Sequence, residues 1–216
     1  MTQQPQGNDP VSSAEPDTHH PTSSSTEHPP KSKKSEVKEW LIGIIVAVCL
    51  ISIVRLFLFE PFVVSGQSME PNFHNDERLI ANKLLYDLRS PQPGEVIVLK
   101  VPSQHRDFIK RVIAVGGDTV KVEGDRLMVN GKAVDEPYIQ SAVAAAQAQG
   151  SPYNINDFPT PALPDGKVPE GYLFVMGDNR SHSQDSRMIG YIPVNDVVGR
   201  AEMIYWPFSH FHWIQS

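Results

Sequence analysis

The chain has 216 residues, of which 25 are acidic and 19 basic, for a formal net charge of −6. That balance excludes a nucleic-acid partner, because phosphate contacts need a basic face. The single cysteine, Cys49, excludes an intramolecular disulfide framework and a Cys-based zinc site; no metal or other cofactor is expected.

Residues 1–38 are rich in Pro, Ser, Thr, Gln and His with almost no large apolar side chain. Such a segment cannot bury enough surface to offset its ordering entropy, so a disordered tail is expected. His19, His20 and His28 read as solvated tail residues. An apolar run then extends from Trp40 to Phe59 with Arg55 as its only charge. Twenty helical residues rise about 30 Å, the hydrocarbon thickness of a bilayer, and Arg55 is placed to snorkel. The rivals are a buried core helix, disfavoured by all-round apolarity, and a cleavable leader, whose apolar stretch is usually only ~7–15 residues. Residues 39–59 are therefore expected to be a retained anchor. Lys31, Lys33, Lys34 and Lys38 put the N-terminal side in the cytoplasm by the positive-inside bias, although Arg55 opposes it. The 157 residues after Phe59 suit one extracytoplasmic domain, residues 60–216.

Short strand signals follow the anchor. Phe62-Val63-Val64 leads into a turn at Ser68-Met69-Glu70-Pro71, and Arg78 to Leu84 partly alternates. Glu95 to Val101 is a buried-strand run opened by Pro93-Gly94, and Asp107 to Val115 ends at Gly116-Gly117-Asp118. Leu127 to Val134 reads as a hairpin around Asn130-Gly131, the strongest short-range β signal present. Tyr138 to Pro169 reads as irregular, with one or two helical turns over Ala142–Gln149. Tyr172 to Met176 and Asp196 to Trp206 are the last strands. The predicted class is mainly β, with antiparallel sheets.

The chemistry centres on two residues. Alternation places Lys110 with Phe108, Val112 and Ala114 on one strand face and Arg111 on the other. A lysine on an apolar face has its pKa lowered by desolvation, and the neutral amine is a competent base. The bland alternative is a lysine that snorkels at a strand edge. Ser68 lies nine residues beyond the apolar run; Gly66 allows close backbone approach and Pro71 stiffens the turn. Such a turn can present a hydroxyl and leave an N–H for an oxyanion. Ser-Lys pairs are a known variant of the serine-hydrolase arrangement, while His74, His105 and His182 stay open as alternative bases. The polar loop Gly177 to Arg187 begins where a buried strand ends, a common place for functional side chains.

Together, the anchor, Ser68-Met69-Glu70-Pro71, Gly94-Glu95-Val96-Ile97, Lys110-Arg111-Val112-Ile113 with Gly117-Asp118, and Gly177-Asp178-Asn179-Arg180 through Ser183, Asp185, Ser186 and Arg187 resemble bacterial type I signal peptidases over Trp40 to Trp206. The resemblance implies antiparallel sheets with an inserted β subdomain, residues 119–170. It implies a serine endopeptidase that cuts signal peptides after small residues, in the Ala-x-Ala pattern, at the extracytoplasmic face of a plasma or thylakoid-type membrane. The implied partners are signal peptides of secreted preproteins and the lipid bilayer, with functional interplay with the export machinery. Ser68 matches the nucleophile, Lys110 the general base, and Ser183 the serine that orients the lysine. Asp178 and Arg111 match an ion pair between loop and lysine strand; Asp185 and Arg187 match supporting polar residues. Phe62, Val64, Met69 and Ile109, which flank the pair, are expected to line substrate pockets.

Three positions depart from that pattern. Asn72 stands in place of Thr, Ala114-Val115-Gly116-Gly117 in place of Gly-Leu-Pro-Gly, and Gly66 in place of a serine that helps hold the oxyanion in some members. Two other functional classes share these features. One is a catalytically idle, membrane-anchored docking module for exported segments, which has no need of both Ser68 and Lys110. The other is a Ser/Lys self-cleaving regulator, which carries a DNA-binding module where this chain has a tail and an anchor.

Overall fold

The computed structural model describes residues 33–101 and 106–215. Of the expected disordered tail, residues 1–38, those up to residue 32 lie outside them, as does His105, whereas residues 33–38 are helical rather than disordered. The chain divides into two units, residues 1–44 and 45–216. Helix α1, Lys33–Phe57, starts in the first and is long and apolar enough to cross a membrane over Glu36–Val54, all of it unburied. The helix stops short of the end of the apolar run, because Phe59 already opens strand β1, Phe59–Val63. Pro61 accounts for this: it cannot continue a helix, and it pushes Glu60 before it into extended backbone.

The second unit is mainly antiparallel β, in line with the predicted class. After β1 come β2 (Arg78–Asn82), the short helix α2 (Leu85–Leu88), β3 (Val96–Val101) and β4 (Arg106–Val115). Three strands follow, β5 (Val120–Glu123), β6 (Arg126–Val129) and β7 (Lys132–Ala133), then helix α3 (Gln140–Ala148). The chain continues through β8 (Tyr172–Met176), α4 (Ser186–Ile189), β9 (Ile192–Pro193), β10 (Val197–Trp206) and β11 (His212–Trp213). The main sheet runs β1-β2-β10-β3-β4-β8-β9, with β11 on β10.

Burial explains the strand patterns. In β3, Val96 and Val98 enter one core with Val64, Met69, Phe73 and Ile109, while Ile97 and Leu99 enter another with Val112 and Val175. Both faces of the sheet are covered there, so the strand reads as a continuous apolar run. In β4 the pairing with β8 shifts register between Val112 and Ala114, and Ile113 and Ala114 share a third core with Phe158 and Phe174. The strict alternation that grouped Lys110 with Ala114 is interrupted by this irregularity.

The residues between β4 and β8 form a second sheet, β5-β6-β7. Asn130 and Gly131 have φ of 54° and 73°, as a two-residue hairpin turn with two left-handed positions requires. Strand β5 was not among the predicted elements; four residues with only two buried, Val120 and Val122, give a weak signal. The helical turns expected over Ala142–Gln149 are the nine-residue α3, whose alanines favour helix without any buried face.

Candidate active site

Ser68 sits in a loop closed at its base by Val64 and Glu77, with Val64 N–H bonding Glu77 O (2.8 Å) and Asp76 N–H bonding Val64 O (2.9 Å). The buried side chains of Met69 and Phe73 anchor it to the core, and the amides of Asn72 and Phe73 both donate to Met69 O at 3.0 Å. Gly66 has φ of 88°, and a Cβ there would meet nothing within 4 Å. The expected reason for this glycine, close backbone approach, gives way to a conformational one: the left-handed backbone itself. Its N–H is committed to Asn75 Oδ1 at 2.8 Å.

Lys110 reaches this loop from the middle of β4. Its Nζ lies 2.7 Å from Ser68 Oγ and 2.9 Å from the Ile109 carbonyl oxygen. The residue is 3% exposed. Burial, partly opposed by the charges of Asp185 and Asp178 and assisted by Arg106 and Arg187, pulls its pKa from 10.5 down to about 8. An appreciable fraction of neutral amine therefore exists near physiological pH. The Phe108 ring stands 4.9 Å from Nζ. The pair opens into a cavity of about 210 Å³ whose wall includes Phe62, Phe108, Ile109 and His182.

The loop after β8 packs against both elements. Asn179 donates through its backbone N–H to Ser68 O (3.1 Å) and through Nδ2 to Gln67 O (3.1 Å). Gly177 makes this approach feasible: a Cβ there would lie 2.3 Å from Ser68 O and 2.3 Å from Ser183 Oγ. Arg111 holds Asp178 in a bidentate pair, Nε–Oδ1 2.9 Å and Nη2–Oδ2 2.7 Å. Asp185 is held likewise by Arg187 at 2.8 and 2.7 Å, accepts Gly177 N–H at 2.9 Å, and caps α4. All four side chains are buried, where removing one partner of a pair costs about 3–5 kcal/mol.

The predicted site residues thus fall into distinct places. Ser68 and Lys110 touch; Arg111, Asp178, Asp185 and Arg187 form two buried ion pairs beside them. Ser183 is buried against Gly177, and its hydroxyl has no hydrogen-bond partner among the described residues; the Lys110 amine bonds to Ser68 and Ile109. Phe62 and Ile109 line the cavity. Val64 and Met69 do not: each is 1% exposed and packed into the core under the loop. Of the rival histidines, His182 lies on the cavity wall with Nδ1 3.0 Å from Ser181 Oγ, and His74 faces the His210 ring at 5.9 Å.

Sequence reasoning missed Asn72 as a site member, Glu136, Tyr138, Tyr153 and Asn154. Asn72 Nδ2 donates to Asp178 Oδ2 (2.8 Å) and Tyr153 Oη to Asp178 O (2.9 Å). Arg187 bonds Asn154 Oδ1. These partners lie up to 106 residues apart in the chain, and no local pattern marks them.

Comparison with known proteins matches residues 37–206 to the family described as "Signal peptidase, peptidase S26". A signal peptidase I of Bacillus amyloliquefaciens is 39% identical over 82% of this chain and 92% of its own length. Signal peptidase I S of Bacillus subtilis (strain 168) is 37% identical, and signal peptidase IB of Staphylococcus aureus (strain COL) 36%, each over 82% of this chain and 94% of the relative. A crystal structure of a signal peptidase I from Enterococcus faecalis V583, 34% identical, aligns with a TM-score of 0.47 over 52% of this chain and 97% of that one. With a family match that spans most of the sequence and relatives of this identity, the chain belongs to the signal peptidase family, peptidase S26.

Proposed function

We propose that this chain is a membrane-anchored serine endopeptidase that removes signal peptides from exported preproteins, with Ser68 as nucleophile and Lys110 as general base. The observation that carries the reading is the 2.7 Å contact between a buried lysine amine and a serine hydroxyl at an open cavity. Neutral Lys110 takes the Ser68 proton as Oγ attacks the scissile carbonyl carbon. The resulting ammonium gives that proton to the departing amine of the mature protein, leaving the signal peptide esterified to Ser68. Lys110, neutral again, then deprotonates a water that hydrolyses the ester. The Ser68 N–H is the assigned oxyanion donor. Lys31, Lys33, Lys34 and Lys38, just before the apolar run, orient the anchor so that residues 60–216 face the extracytoplasmic side.

The test incubates detergent-solubilised protein with a preprotein carrying an Ala-x-Ala site and reads the new N-terminus, expected immediately after the second Ala. An intact preprotein, or cuts scattered along it, contradicts the reading.

The cavity wall sets an expected specificity. Enlarging the residue before the cut from Ala to Phe is expected to crowd the wall formed by Phe62, Phe108 and Ile109; overpacking of this kind costs about 1–3 kcal/mol, which is roughly five- to 150-fold in kcat/KM. Equal cleavage of the two preproteins overturns the assignment of this cavity to substrate.

Ser183 is assigned to orient the Lys110 amine during the reaction; in the resting fold the amine bonds to Ser68 and Ile109 instead. Because its hydroxyl is buried without a partner among the described residues, Ser183→Ala sacrifices no hydrogen bond seen in the resting fold and is expected to melt like wild type. Its cleavage rate should fall by only part of the ~10²–10⁴-fold worth of acid–base catalysis, since nucleophile and base both remain. A variant as active as wild type removes Ser183 from the mechanism.

A further inference from the structure

Outside the residues already assigned, one short stretch touches each of the three segments that build the site. Glu136 and Tyr138 follow β7 in the segment between β4 and β8. Both Glu136 carboxylate oxygens accept from Arg180, with Nη1–Oε2 at 3.1 Å, and the two side chains are 10% and 4% exposed. Arg180 in turn donates through Nε to the Gly177 carbonyl oxygen at 3.0 Å. Gly177 is the residue whose lack of a side chain leaves room for Ser68 O and Ser183 beside it.

Tyr138 reaches the other two parts. Its ring lies under the Arg111 guanidinium, 3.9 Å from Cζ to the ring centroid, so the cation that holds Asp178 is fixed from its far side. Its backbone carbonyl accepts from Asn72 Nδ2 at 3.0 Å, and the same amide nitrogen donates to Asp178 Oδ2 at 2.8 Å. Its hydroxyl closes the cluster on Glu136 Oε1 at 2.6 Å. Burial and the Glu136 charge both push the phenol pKa upward, so the ring stays neutral and donates. Within three residues, then, this stretch grips the nucleophile loop, the lysine strand and the polar loop.

We infer that Glu136 and Tyr138 are positioning residues for the Ser68–Lys110 pair, acting through Arg180, Arg111 and Asn72 rather than on substrate. This rests on the reading of Ser68 and Lys110 given above. The physical content is a fixed charge geometry. Asp178 and Asp185 favour the protonated Lys110, Arg106 and Arg187 the neutral form, and Asp107 and His182 line the same cavity. Arg111 compensates Asp178 only while it is held in bidentate register. Releasing Arg111 from the ring leaves more of the Asp178 charge uncompensated at Lys110, so the amine keeps its proton to higher pH.

The experiment compares Tyr138→Phe, Tyr138→Leu, Glu136→Gln and Ser68→Ala in the full-length, detergent-solubilised protein, measuring kcat, KM and the pH profile of kcat on one preprotein. Tyr138→Phe keeps the ring over Arg111 and should stay within about threefold of wild type, whereas Tyr138→Leu should lose about tenfold or more in kcat, as misalignment of reacting groups does. KM should change little, and the pH midpoint of Tyr138→Leu should move upward. Glu136→Gln keeps shape and an acceptor oxygen for Arg180 but removes the charge, so it should lower kcat and also lower the melting transition; assayed well below that transition, it decides the matter if Tyr138→Leu does not fold. Folded Glu136→Gln and Tyr138→Leu enzymes with wild-type kcat and an unmoved midpoint overturn the inference while Ser68→Ala is dead. A Ser68→Ala enzyme that still cleaves overturns the nucleophile assignment itself, and the inference with it.

Discussion

Ser68→Ala is expected to abolish preprotein cleavage and leave the fold unchanged. The hydroxyl contributes one hydrogen bond, to Lys110. The loop around it is held by other means: the Met69 and Phe73 side chains in the core, the Val64–Glu77 closure, and the Asn179 bonds to Ser68 O and Gln67 O. None of these uses Oγ. Without it no covalent ester forms, and loss of the nucleophile in a hydrolase of this type is on the order of 10⁴–10⁶-fold in rate. Cleavage is read on a preprotein gel and folding by the melting transition. A cleaving alanine variant, or one that no longer folds, contradicts the placement of Ser68 as a nucleophile on an independently stable turn.

Lys110→Met should be as inactive as Ser68→Ala and yet more stable than wild type at neutral pH. The sign follows from the burial of the amine. Its pKa lies near 10.5 in water and about 8 in the fold. Below pH 8 both folded and unfolded chains carry the proton, and the fold bears the full cost of burying the charge, roughly 3 kcal/mol. As pH rises above 8 the folded state sheds the proton first and the cost declines; above 10.5 both states are neutral and it is gone. Methionine has nearly the same length and no charge, so the variant should gain up to roughly 3 kcal/mol at pH 7, with the advantage shrinking toward pH 10.5. Lys110→Arg keeps the charge and cannot deprotonate, so it should be inactive without that gain. Denaturant unfolding at pH 7 and pH 10 checks the linkage. A Lys110→Met protein less stable than wild type at pH 7, or an active Lys110→Arg enzyme, contradicts it.

Local signals carried the sequence as far as its secondary structure. The buried runs at Val96–Val101 and Tyr172–Met176 and the Asn130-Gly131 turn were legible because burial on both sheet faces and left-handed backbone leave marks on neighbouring residues. The end of α1 was misread as Phe59 because hydropathy outweighed Pro61, whose backbone constraint ends the helix at Phe57. Val64 and Met69 were placed in the substrate pocket because adjacency in sequence to Ser68 says nothing of direction; both point into the core. The site was legible only in parts. Ser68 and Lys110 each stand in a suggestive setting, but they are 42 residues apart, and alternation within β4 cannot say which loop covers a face. The Glu136–Arg180 pair spans 44 residues between the short link after the predicted hairpin and a polar loop. Such partners are fixed by tertiary packing alone.

The most direct measurement is the pH dependence of kcat/KM, which reports groups of the free enzyme, for the wild-type protein on an Ala-x-Ala preprotein. A base that works only when neutral gives a rate that rises with pH and levels off above its own pKa. With Lys110 as that base, the ascending limb should have a single midpoint near 8, where burial has set the amine. A midpoint in the ordinary histidine range near 6.5, or a rate flat from about pH 6 to 9, would show that a group other than Lys110 takes the Ser68 proton.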